Sequence, residues 1–204
     1  MKYQMLFCAL IVLLAAGCTT DIGPAARKAG VNSIKVEPRI DVDIPMRIGY
    51  KEDGGNLAVM LANLTVNEMY AKRLMQLSSN MQQNAISVPD MVRDGAANML
   101  REQKGFTVAT NAGDAVLVVA IRQYGFDGSG FSLSKEVPFI VLRAELTRRG
   151  ERVWRGQGQA HPMRAGGLGA PLEEYQTQPE LLRQHWEKQV ERALQELFTA
   201  KDGK

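Results

Sequence analysis

The sequence predicts an α+β fold, a two-layer sandwich in which helices pack on one face of a largely antiparallel sheet. Three observations carry this. The hydrophobic periods run in the order strand, helix, helix, several strands, helix. The run AVLVVAIRQY (115–124) is apolar on both faces, which places it in the middle of a sheet. The stretch TQPELLRQHWEKQVERALQELF near the end keeps one apolar stripe at helical spacing. Helices on one face of a sheet cover the central strand with the fewest layers.

Taken in order, SIKVEPRIDVDIP (33–45) alternates Ile34, Val36, Ile40, Val42 and Ile44 against polar neighbours and is broken by Pro38, the pattern of a first, edge strand. Residues 57–64 read as helix or strand. A helix follows over 66–84, with Thr65 and Glu68 spaced as a capping box. SVPDMVRDGAANMLREQKGF predicts a second helix, with Ser87 as N-cap, Pro89 in the first turn, Val92, Ala96, Met99 and Leu100 on one face, and Gly105 as the stop before Phe106. FTVAT, AVLVVAIRQY, PFIVLRAELT and RVWRGQGQA read as strands, the last two joined by a turn at Arg148-Arg149-Gly150-Glu151. The closing helix is expected to start at Thr177-x-x-Glu180 and to bury Leu182, Trp186, Val190, Ala193 or Leu194, and Leu197. Leu117, Val119, Ile121, Leu142 and Trp186 are expected in one core.

The first residues have a different character. Lys2 precedes a charge-free apolar run from Met5 to Leu14, long enough for a signal sequence and too short for about 30 Å of hydrocarbon. The run ends in Leu14-Ala15-Ala16-Gly17-Cys18, which resembles the lipobox of bacterial lipoproteins. That resemblance implies a diacylglyceryl group on the Cys18 thiol, cleavage between Gly17 and Cys18, and an acylated (palmitate-bearing) amine. Thiol nucleophilicity explains the residue type. Several acyl chains on one residue make a lasting anchor where a single chain binds only marginally. Thr19 stands where the inner-membrane retention signal of such lipoproteins has aspartate, so the outer membrane, with the domain facing the periplasm, is the expected location.

The expected organisation is a signal peptide over 1–17, a lipidated N-terminus and flexible tether over 18–32, and one periplasmic α+β domain over 33–204. The 45% hydrophobic content is ample for one core. Cys8 leaves with the signal, so the mature chain has no thiol pair for a disulfide. The chain has 25 basic and 22 acidic residues, and loss of Lys2 with the signal leaves +2, a balance that does not point to nucleic acid.

Few residue patterns suggest chemistry. The glycines of GFDGSGFSLSK (125–135) lead toward a strand, whereas a phosphate loop opens a helix; RAGGLGAPLEE (164–174) lacks the lysine and the preceding strand. Both read as mobile loops. His161 and His185 are too few for a histidine metal site, and Asp41 and Asp43 share a strand side without a third oxygen donor at fixed spacing. No nucleophile motif is present. Neither a catalytic residue, a metal nor a cofactor other than the covalent lipid is expected. Six arginines against two glutamates between 143 and 164 concentrate positive charge on one hairpin. Arg148, Arg149, Arg152 and Arg155 are the candidate contacts for an anionic lipid or an acidic partner. Methionines 46, 60, 69, 75, 81, 91 and 99 crowd the first half of the chain and suit either a core or an apolar groove.

The lipobox, the passage MLREQKGFTVAT…DAVLVVAIRQY, the hairpin VLRAELTRRGERVW and the closing helix together resemble small outer-membrane lipoproteins of the YajG-like, transport-auxiliary and CsgG/TolB-N-like kind. This resemblance implies a non-catalytic periplasmic domain that acts as an interaction module with an envelope protein partner in cell-envelope assembly or maintenance. The alternative it leaves open is an auxiliary subunit of an ABC-type transport system that binds a lipid ligand.

Overall fold

The computed structural model describes residues 21–48, 64–127, 135–161 and 168–199. The expected signal segment, Gly17, Cys18 and the region 57–63 lie outside them, as do 128–134 and 164–167 of the two glycine-rich stretches.

The elements are α1 (Ile22–Lys28), β1 (Ser33–Val36), β2 (Asp41–Val42), β3 (Arg47–Ile48), α2 (Leu64–Gln83), α3 (Val88–Glu102), β4 (Thr107–Ala109), β5 (Ala115–Asp127), β6 (Val137–Arg148), β7 (Glu151–Ala160), α4 (Leu172–Thr177) and α5 (Pro179–Phe198). Three long antiparallel strands, β5, β6 and β7, form the body of the sheet. The other side of β5 is lined by a lane of short strands: β1, β2 and β3 pair with it in succession and in parallel, and β4 pairs in parallel with β1. The α+β sandwich therefore holds, with a parallel margin. The predicted first strand is three pieces interrupted near Pro38 and Pro45. Its β1 portion is interior, since β4 covers it.

Local sequence explains most boundaries. The Ser87 side chain accepts from the Asp90 amide to open α3. Gly105 takes φ +69 and lets the Phe106 amide return to the Leu100 carbonyl at 3.0 Å. Arg149 and Gly150 both have positive φ, as a two-residue hairpin of the right twist requires. Two starts differ from expectation. The chain is already helical at Leu64, so the Thr65 capping box falls inside α2. Thr177 ends α4, where its hydroxyl donates back to the Glu173 and Glu174 carbonyls, and α5 begins at Pro179 without a side-chain cap.

The core lies between the sheet and α3 and α5. Leu117, Val119, Ile121, Leu142 and Trp186 belong to it together, with Val190, Ala193, Leu194 and Leu197 completing the expected α5 stripe. Trp186 meets the Phe126 ring edge-on at 5.3 Å. α5 lies unusually close to β7 because Gly156 and Gly158 carry no side chain there. A Cβ on Gly158 would fall 2.2 Å from the Ala193 carbonyl oxygen.

The principal correction concerns residues 21–32, expected as flexible tether. They form α1 and a turn that packs on the core, with Ile22, Ala26 and Val31 buried. Asp21 is the N-cap, accepting from the Gly23 amide at 2.7 Å. The stop has the Schellman pattern, with the Gly30 amide on the Arg27 carbonyl and the Val31 amide on the Ala26 carbonyl. Residues 21–32 therefore pack with the domain expected from Ser33 onward.

Candidate functional site

The strand directions gather several features at one end of the sheet. β5 starts there, β6 ends and β7 starts there, and α1 lies across it. Asp21 Oδ2 is 2.7 Å from Lys104 Nζ, just beyond the end of α3. Burial alone would raise the Asp21 carboxyl, but the Lys104 hydrogen bond, the Gly23 amide and the charges of Lys104 and Arg27 outweigh it and hold the group below its ordinary range. Arg27 donates to the Lys104 carbonyl at 3.2 Å and stacks over the Phe106 ring at 5.7 Å from its centroid. Farther along, Asp114 accepts from the Asn32 and Ser33 amides, each at 3.0 Å, and these two bonds lower its carboxyl.

The arginine hairpin projects at this same end, but its residues divide. Arg148 is a structural clamp, its guanidinium donating to the Ala29 carbonyl at the end of α1. That bond uses one of the guanidinium's donors and ties Arg148 to α1. Arg149 is exposed on the turn. Arg152 lies exposed, 3.9 Å from Glu145, a spacing that leaves the pair weak. Arg155 is exposed farther up β7, across from Glu145 in the strand register.

The opposite end holds a buried polar cluster. Tyr175 Oη donates to the Glu136 carbonyl at 3.0 Å and lies 2.8 Å from His185 Nδ1. With one phenolic proton, both contacts are satisfied when His185 carries its proton on Nδ1 and donates to the tyrosine oxygen. Burial lowers the His185 pKa, aided by the Lys188 charge and opposed by Glu174. The Glu136 side chain is 1% exposed, and its Oε1 lies 3.0 Å from Arg73 Nη2 without hydrogen-bond alignment. Burial raises its pKa, Arg73 opposes and Asp127 adds to the rise. Arg73 thereby ties α2 to the start of β6. His185 is thus a buried helix histidine in a structural network, as its place beside Trp186 suggested.

Asp41 opens β2 and Asp43 follows its end. Each faces an arginine of its own, Arg39 at 3.7 Å and Arg122 at 3.0 Å. Among the described residues no group of three or more His, Cys, Asp or Glu is placed to hold a metal ion. The described methionines divide as well: Met81 and Met99 are core, while Met75 on α2 is 72% exposed. Between α3 and α5 runs a cleft of about 560 Å³, floored by Met91, Met99, Val190 and Leu194 and rimmed by Asp90, Asp94, Glu102, Glu187 and Glu191. Among the described residues no helix is long and apolar enough to cross a membrane.

Sequence reasoning missed the α1 clamp. Its punctuation was nevertheless present, with Asp21 before Pro24 in the first turn and Gly30 after Arg27 and Lys28.

No protein-family model matches the chain, and no curated protein matches it. Similar solved structures include a DUF330-family protein from Xanthomonas campestris, at 13% identity over 80% of this chain and 81% of that one, with a TM-score of 0.44. They also include the PelC dodecamer from Paraburkholderia phytofirmans, at 13% identity, 82% and 89% coverage and TM-score 0.36. A third is the lipoprotein GNA1162 from Neisseria meningitidis, at 18% identity, 63% and 81% coverage and TM-score 0.26.

Proposed function

We propose that this chain is a lipid-anchored, non-catalytic interaction module of the bacterial cell envelope, held at the outer membrane through Cys18 with its domain in the periplasm. The observation that carries the reading is Leu14-Ala15-Ala16-Gly17-Cys18 at the end of an apolar signal run, followed by Thr19. The surface offered to an envelope protein is the β7 edge of the sheet, where Arg155 is exposed and its fork suits carboxylates. The carboxylate rim of the α3–α5 cleft opposes an anionic phospholipid, so docking stands ahead of lipid carriage.

The test is Cys18→Ser in the full chain, expressed with its own signal and followed by labelled palmitate and membrane fractionation. A hydroxyl cannot form the thioether. The variant is expected to incorporate no palmitate and to lose the mature membrane-bound form. Normal labelling and membrane retention of the variant overturn the reading.

A further inference from the structure

We propose that the end of the domain formed by α1, the end of α3 and the β6–β7 hairpin rests on the lipid surface, with Arg27, Lys28, Arg101, Arg149 and Arg152 against anionic headgroups. This rests on Cys18 carrying the lipid. Asp21, the N-cap of α1, is the third residue after Cys18. Three residues span about 11 Å at full extension. Asp21 is itself held by its cap bond to Gly23 and its ion pair to Lys104, so the anchor is tied to one fixed point of the molecule.

The geometry then selects a face. β5 runs from Ala115 at the α1 end to Asp127 at the other, 13 residues or about 40 Å of strand. A leash of about 11 Å cannot bring the Tyr175–Glu136 end to the bilayer while Asp21 stays in place. Among the described residues, the exposed side chains at the near end include the five cations named above against the carboxylates of Glu102, Asp114, Glu151 and Glu196. Asp21 is engaged by Lys104, and Asp114 by two backbone amides. The excess is positive where the leash places the membrane, and anionic headgroups complement it within a Debye length of about 8–10 Å.

The mature chain provides a clean label site, since Cys18 is consumed as a thioether and Cys8 is removed. The test uses full-length lipidated protein with a single added thiol at an exposed glutamine, Gln103→Cys near α1 or Gln176→Cys at the far end. Each carries a fluorophore and is reconstituted in phosphatidylethanolamine–phosphatidylglycerol vesicles containing a headgroup nitroxide quencher. Quenching at position 103 and none at 176 is expected; equal quenching, or quenching at 176 alone, in protein that floats with the vesicles overturns the proposal. A spacer of flexible residues between Thr20 and Asp21 isolates the charge contribution. Quenching at 103 should then persist in these vesicles and vanish in phosphatidylcholine, and equal values in the two lipids overturn the headgroup contact. Failure of the anchor reading looks different, because an unmodified Cys18 takes up the fluorophore and the protein does not float.

Discussion

Asp21 Oδ2 lies 2.7 Å from Lys104 Nζ across 83 positions of sequence, joining the N-cap of α1 to the turn that ends α3. Asp21→Ala removes this pair and the α1 cap together and is expected to cost about 1 kcal/mol, within the roughly 0.5–2 kcal/mol span of lost caps. Because the folded carboxyl sits below its ordinary value of 3.8, its contribution is present above that pH and lost as pH falls through the folded pKa. Urea unfolding of residues 21–204, with hydrogen exchange of the α1 amides, checks this. Unchanged protection of α1 in the variant would remove the clamp.

The approach of α5 to β7 gives a steric prediction. Gly158→Val places atoms where the Ala193 carbonyl and the Leu197 backbone already lie, and is expected to destabilise by about 1–3 kcal/mol or more. Gln157→Val, exposed one position earlier, serves as the control and should stay within about 0.5 kcal/mol of the parent. Equal effects in chemical denaturation would contradict the packing.

Ala85 holds φ +50 where α2 stops, with the Ile86 amide on the Met81 carbonyl. A left-handed conformation costs a non-glycine residue roughly 1–2 kcal/mol, of which glycine's greater unfolded freedom gives back about 0.5–1 kcal/mol. Ala85→Gly is therefore expected to stabilise the domain by about 0.5–1 kcal/mol. A lowered urea midpoint would refute it.

His185 supplies a pH dependence. Its folded pKa is depressed, so the unfolded chain takes up the proton first; the stability it contributes is full above the ordinary value of 6.5 and declines as pH falls below that. The slope cannot exceed about 1.4 kcal/mol per pH unit for one group. Glu136, whose pKa is raised, acts with the opposite sign, so the parent must be compared with His185→Gln at each pH. The parent should lose more stability than the variant between about pH 7 and pH 5. Parallel curves would show that His185 is not held neutral.

What the sequence made legible follows periodicity and punctuation. The doubly apolar β5, the Ser87 cap, the Arg149-Gly150 turn and the α5 stripe each depend on residues close in sequence, and each appears in the fold. α1 escaped because Gly23, Pro24 and Gly30 gave residues 19–32 a linker's composition, while burial of Ile22 and Ala26 depends on partners far away. Arg148 looked like its neighbours until the fold brought Ala29 to it across 119 positions. Asp41 and Asp43 were expected on one strand side, but β2 ends at Val42, and Arg39 and Arg122 meet the two carboxylates singly. The Thr177 box failed because a short helix already ended there, turning its hydroxyl backward.

The proposed lipid on Cys18 underlies the proposed location and the proposed orientation of the domain alike. Its most direct measurement is the mass of the N-terminal peptide of the full-length protein recovered from membranes. The account predicts a peptide beginning at Cys18 whose mass exceeds the bare sequence by a diacylglyceryl group and an amide-linked acyl chain. A peptide beginning at an unmodified residue, whether Cys18 or another, would contradict it.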